Sequence, residues 1–203
     1  MRFGKWRSSG LAIMATVLAG CVSVLPAPEA PDALYQIDPV PVRQSLPKGL
    51  LVRLPEAPQI VSGQALARED ETGAIRLIPK VEWSEGATRL LQMALVESFG
   101  FDGKGTAVMS DSGLLADYEL VTRLRVFNLR GEQAVCEADI MIAQVRTAQV
   151  LDRTSVEIAR PVDSPRAVDR ALAMKESAEA CVSKISSFAA DSLRRHTALL
   201  EAN

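Results

Sequence analysis

The chain is poor in the residues that most often build catalytic and metal sites: one histidine, His196, three cysteines and 4% aromatics among 203 residues. A single histidine leaves no Cys/His spacing for a metal centre. Placed near the C-terminal end, on a terminal helix, it is also a poor base for a Ser/His/Asp or Cys/His set. No motif marks an acidic pair, and the carboxylates are spread like the solvated faces of strands and helices. The sequence therefore reads as a non-enzyme, with no metal and no bound cofactor.

Excess positive charge is missing too, with 23 Lys and Arg against 25 Asp and Glu. Residues 1–20 hold three of the basic residues and none of the acidic ones, so the chain from Cys21 onward carries a formal charge of −5. That balance argues against a nucleic-acid partner. Charge is interspersed rather than blocked and apolar content is high, which argues for a folded domain rather than a disordered one.

What is present starts at the N-terminus. Arg2, Lys5 and Arg7 precede an uncharged run from Ser8 to Leu18 whose apolar core is Leu11 to Leu18. This is the layout of a secretory signal, and it falls well short of the ~20 apolar residues a spanning helix needs. Leu18-Ala19-Gly20-Cys21 resembles the lipobox of bacterial lipoproteins. That resemblance implies that the Cys21 thiol receives a diacylglycerol, that palmitate-type acyl chains complete the anchor, and that cleavage leaves Cys21 as the first residue. The plainer reading is an ordinary signal, or a short span, followed by an incidental cysteine. Val22 follows Cys21, whereas an aspartate there would resemble the inner-membrane retention signal, so the expected place is the outer membrane, facing the periplasm.

Three segments follow: a signal at residues 1–20, a lipidated and proline-rich tether at 21–33, and a single domain at 34–203. Pro26, Pro28 and Pro31 keep the tether extended, with a reach of about 35 Å at about 3.1 Å per residue. With Cys21 occupied by lipid, Cys136 and Cys181 are the only pair left for a disulfide, which export would permit. Lone cysteines also serve as small buried apolar side chains, and sequence spacing does not choose between the two.

Hydrophobic periodicity predicts short strands at 34–37 and 50–54, weaker ones at 60–61 and 66–68, and a hairpin that turns at Asp70-Glu71-Thr72-Gly73 and returns over 74–78. A helix is expected from Ser84 to Phe99, with Ser84 as cap, Gly100 at the left-handed end and Phe101 folded back on Val96. The run from Gly100 to Gly105 resembles a phosphate loop only superficially, because it lacks the Walker spacing and follows a helix instead of opening one. After a strand at 106–109 come the longest strands. Tyr118 to Phe127 puts Tyr118, Leu120, Leu124 and Val126 on one face and Glu119, Arg123 and Arg125 on the other. A turn at 128–132 leads to a strand at 135–145 with Cys136, Ala138, Ile140 and Ile142 inward, and a third strand runs over 148–158. Arg123 and Arg125 could pair with Glu137 and Asp139 across strands.

Ser164-Pro165 opens the longest helix, as cap and first helical residue. Its apolar stripe runs Val168, Ala171, Leu172, Ala178, Cys181, Val182, Ile185, Phe188, Ala189 and Leu193, interrupted by Lys175, and Arg194, Arg195 and His196 sit near the negative end of the dipole. The fold class expected is α/β, sandwich-like, a mostly antiparallel sheet packed against two main helices. Trp83, before the first helix, is either a core anchor or an exposed recognition aromatic.

The lipobox, the strand Ala33-Leu34-Tyr35-Gln36-Ile37, Leu54-Pro55, Val81-Glu82-Trp83-Ser84-Glu85 opening a helix, the strand meander and the helix from Ala171 to Leu193 together resemble the ABC-type transport auxiliary lipoproteins. That family implies an α/β domain tethered in the periplasm and assisting lipid movement alongside an MCE-type periplasmic protein, an ABC permease and an ATPase. It implies no catalytic residues, Cys21 as the lipidated position, Trp83 as a structural marker, and in some relatives a homo-oligomeric ring. The competing expectation is a lipoprotein that activates a cell-wall synthase. A tether of about a dozen residues is short for crossing a wall layer at the polyproline rise.

Overall fold

The computed structural model describes residues 30–100 and 105–202. The signal, Cys21, most of the tether and Phe101 lie outside the described residues. Within them, eight strands form one sheet: β1 (Ala33–Tyr35), β2 (Leu50–Val52), β3 (Ala65–Glu69), β4 (Ile75–Trp83), β5 (Ala107–Met109), β6 (Tyr118–Arg130), β7 (Gln133–Gln144) and β8 (Val150–Pro161). Three helices accompany them: a single turn α1 (Gln59–Ser62), α2 (Ala87–Glu97) and the 35-residue α3 (Ala167–Glu201). The architecture is two-layered, α2 and α3 covering one face of the sheet while the face bearing Arg125, Glu137 and Asp139 is left to solvent.

The sheet is mixed. Its long ladders, β6 with β7 and β7 with β8, are antiparallel, as is the hairpin of β3 and β4. The short ones are parallel, β1 with β4, β2 with β5 and β6, and β3 with β6. β6 is the spine, since one edge carries β7 throughout and the other is shared by β2 near Tyr118 and β3 near Arg130. Because β1 runs with β4, β4 against β3, and β3 with β6, β1 runs opposite to β6. The chain arriving from the tether therefore meets the sheet at its Arg130 end.

Several local expectations are corrected. Ile60 and Val61 are not a strand, because the Pro58 carbonyl accepts from Val61 and Ser62 and closes a helical turn. Ser84 does not cap α2. Its N–H donates to the Tyr35 carbonyl and Gly86 stands at the cap, while the Gly63 carbonyl takes the otherwise unsatisfied Ala87 N–H. Gly100 does not adopt the left-handed conformation expected at the end of α2, and its N–H donates to the Gln44 carbonyl at 2.9 Å. The return strand β4 continues to Trp83 through an irregularity at Pro79 and Lys80, the latter at φ 68°.

The expected turn at 128–132 is mostly strand. β6 extends to Arg130, and Gly131 at φ 55° allows the tight reversal into Gln133. A register shift between Leu124 and Val126 sets Val126 opposite Glu137 and brings Phe127 opposite Cys136, so Phe127 rather than Val126 continues the inward row. In α3 the helix begins at Ala167, not at Pro165, and the Ser164 hydroxyl accepts from the Arg166 N–H ahead of it. Val168 and Leu172 lie on the helix flank, 46% and 43% exposed, and Met174 and Ser177 join the buried stripe instead. α3 runs on to Glu201, so the dipole role expected of Arg194, Arg195 and His196 is not met. Arg194 pairs with Asp191, Arg195 with Asp152, and His196 meets the Tyr118 ring edge-on at 5.8 Å.

Two close fits position the loops. Asp70 Oδ1 accepts from the Thr72 N–H, the Thr72 hydroxyl and the Ala74 N–H, and Oδ2 accepts from Arg76. The Thr72 hydroxyl, the Arg76 guanidinium and the Ala74 N–H hold the Asp70 carboxyl far below the usual carboxylate range. A depressed native value adds stability above the unfolded value of 3.8, lost as pH falls toward the native one. Asp70→Asn is therefore expected to lower the urea midpoint at pH 7, with the gap to the parent narrowing below pH ~4. Gly105 packs backbone to backbone on Lys48, and a Cβ there would overlap the Lys48 carbonyl. Gly105→Ala is expected to cost about 1–3 kcal/mol in denaturant unfolding.

Candidate functional site

Three features were candidates from the sequence: Cys21, the Cys136 and Cys181 pair, and Trp83. Cys21 lies outside the described residues. The other three residues converge on the same core, between α3 and the middle of the sheet.

Cys136 is on the inward face of β7 because residues 136, 138, 140 and 142 alternate there, and Cys181 lies on the buried stripe of α3. Both are fully buried, and a disulfide joins them, with Cα atoms 6.4 Å apart and a sequence separation of 45. The bond fastens the long helix α3 to β7. Trp83 closes β4, is 1% exposed and stacks on Phe127 at 5.8 Å between ring centroids. It is therefore a core anchor, not a surface aromatic. Its N–H donates to Gln64, and its backbone pairs with Tyr35 of β1.

Near the tether end, Lys175 of α3 donates to Asp38 Oδ2 at 2.6 Å and to Glu179, while the Asp38 N–H donates to Glu179 at 3.3 Å. Burial pulls the Lys175 ammonium down, but the hydrogen bonds to Asp38 and Glu179 outweigh it and leave its pKa above the ordinary lysine value. This lysine, an interruption in the sequence stripe, clamps the segment after β1 to the helix. At the start of α3, Asp169 is lowered by hydrogen bonds from Arg166 and Ser164. Sequence reasoning missed both clusters, whose partners come from loops that periodicity does not describe.

The open sheet face carries a ladder of ion pairs. Arg125 reaches Asp139 at 3.3 Å and Glu137 at 3.8 Å, Arg130 reaches Glu69 at 2.9 Å, and Arg53 reaches Glu119 at 2.7 Å. Pairing to Glu137 and Asp139 comes from Arg125 and Arg130, not from Arg123. A shallow groove of about 650 Å³ crosses this face past Glu56, Arg123, Met141 and Arg153. It is open and mixed in charge. Among the described residues there is no group of three or more His, Cys, Asp or Glu placed to hold a metal ion, and no helix is long and apolar enough to cross a membrane.

Fold and site together define a two-layer α/β domain, stapled internally by Cys136–Cys181, with an open sheet face that carries ion pairs. The family model described as "ABC-type transport auxiliary lipoprotein component" matches residues 33–186, and the chain belongs to that family. Membership makes it an auxiliary lipoprotein of ABC-type transport. In fold the chain is similar to protein XCC0632 from Xanthomonas campestris, with TM-score 0.69 at 20% identity over 83% of this chain and 98% of that one. It is also similar to an uncharacterized protein of known crystal structure, with TM-score 0.57 at 13% identity over 78% of this chain and 98% of that one. No curated protein sequence matches the chain.

Proposed function

We propose that this protein is an outer-membrane-anchored, periplasm-facing auxiliary lipoprotein of an MCE-linked ABC-type lipid transport system, acting as a docking component between the membranes. The family match over residues 33–186 carries the reading, and Leu18-Ala19-Gly20-Cys21 supplies the anchor that the family description calls for. Val22 after Cys21 supports outer-membrane delivery. A single acyl chain holds a protein weakly and several hold it stably, so a diacylglycerol-modified, N-acylated Cys21 would fix the domain at one membrane. The body then docks on an MCE-type periplasmic partner that works with the permease and the ATPase.

Chemical cross-linking in the native host followed by purification of the full-length protein tests this. Recovery of MCE-type and permease subunits is the expected result. Recovery of a penicillin-binding protein in their place would favour activation of a cell-wall synthase and overturn the transport reading.

A further inference from the structure

Three segments far apart in sequence come together at the Tyr118 end of the sheet, opposite the end at which the tether arrives. The Val145 N–H donates to the Asp117 carbonyl at 3.0 Å, which sets the loop before β6 beside the turn between β7 and β8. Arg195 pairs with Asp152 at the start of β8 and His196 meets Tyr118, so α3 ends there too. Each segment leaves large apolar side chains in water: Leu114 and Leu115 from the loop, Val145 and Val150 from the strand ends, Leu199 and Leu200 from the helix. Single exposed apolar residues are ordinary, whereas a group gathered on one end marks a contact surface.

The loop is braced with its leucines outward. At its base the buried Gln92 of α2 donates from Nε2 to the Val52 carbonyl at 2.9 Å and to the Ser110 hydroxyl at 3.3 Å, and Arg89 donates to Asp111 at 3.0 Å. Within it the Ser112 hydroxyl donates to the Met109 carbonyl at 2.7 Å and accepts the Leu114 N–H at 3.3 Å, and Gly113 turns the chain at φ 71°. Leu115, just beyond that turn, is 98% exposed. Two leucines held in water at a braced turn are disfavoured by the hydrophobic effect until a partner covers them.

We propose that this end of the domain docks a periplasmic protein, whose apolar recess takes Leu114 and Leu115; the partner is the MCE-type component of the reading above, on which the inference rests. The anchoring bilayer is the competing apolar surface, and the chain's own lengths argue against it. From Cys21 to Ala30, the first described residue, the chain spans at most about 32 Å even when fully extended. β6 alone runs about 40 Å between Arg130 and Tyr118. A domain anchored at Cys21 and standing with its strands along the membrane normal therefore cannot set its Tyr118 end on that bilayer. It presents this end to the periplasm.

Full-length protein carrying the photo-cross-linker p-benzoylphenylalanine in place of Leu115 is made in the native host and irradiated. The control carries it in place of Val168, which is exposed on α3 near the opposite end. The Leu115 position is expected to give an adduct with the MCE-type subunit, and the Val168 position none. Adding Leu114→Glu and Leu200→Glu puts charges into the apolar contact and is expected to lower the adduct at least about tenfold. All these side chains are exposed, and circular dichroism and an intact Cys136–Cys181 bond certify the fold of each variant. If amine-reactive cross-linking of the same cells recovers the subunit but the Leu115 position does not, docking at this end is overturned while the transport reading stands. The same follows if Val168 gives an equal yield or the two glutamates leave the yield unchanged. An adduct with lipid alone assigns this end to a bilayer and overturns the proposal as well. Failure of both cross-linking methods to recover the subunit overturns the transport reading, and this inference with it.

Discussion

Removing the Cys136–Cys181 bond is expected to lower the unfolding free energy by about 2–4 kcal/mol. Closing a loop whose ends are 45 positions apart in sequence restricts the unfolded chain, and the chain-entropy estimate for that length is about 4 kcal/mol. Residual unfolded-state structure brings the expected loss below that figure. The native geometry accommodates the bond, since Cα atoms 6.4 Å apart fall within the usual disulfide range. Denaturant unfolding of the parent, the two single alanine variants and the double variant measures the loss. If the covalent link is the main term, one substitution costs nearly as much as two. Additive losses would instead mean that the two sulfurs act as packed apolar groups. The mass of the purified protein should rise by about two hydrogens on reduction.

Trp83→Ala is expected to cost about 3–5 kcal/mol, the range for deleting a large buried aromatic. Trp83 ties several strands together: its ring lies on Phe127 of β6, its backbone joins β1 to β4, and its N–H donates to the Gln64 carbonyl in the loop before β3. Deleting the ring leaves a cavity where those pieces meet, while Trp83→Phe keeps a stacked aromatic and should lose only part of that stability. Urea unfolding followed by circular dichroism reads both. A cost below about 1 kcal/mol for the alanine variant would mean that the core closes over the gap.

Sequence periodicity made the long elements legible because each has one wet and one buried face. The alternation of Cys136, Ala138, Ile140 and Ile142 is visible in β7, and the stripe through Ala178, Cys181 and Ile185 is visible in α3. The two cysteines could be placed on facing surfaces from these patterns alone, while the distance between them could not. What periodicity missed was set by contacts distant in sequence. Ser84 looks like a cap, yet Tyr35 takes its N–H and Gly63 serves the helix instead. The strand reading of Ile60-Val61 failed because one carbonyl, that of Pro58, closes a turn. The register shift near Arg125 moved Val126 off the inward row, and no composition signal announces it. The short parallel strands were also illegible as a group, since three-residue segments carry too little pattern to reveal their partners. Lys175, which looks like a flaw in an apolar stripe, proves to be the residue that ties the segment after β1 to α3.

Cys21→Ser tests the proposed lipid anchor most directly. Membranes and soluble periplasm are separated from cells making the parent or the variant at equal levels, and the protein is quantified in each fraction. The parent is expected to stay with the outer membrane. The variant should move to the soluble fraction, folded and with Cys136–Cys181 bonded. A Cys21→Ser protein that remains with the membrane would contradict the anchor.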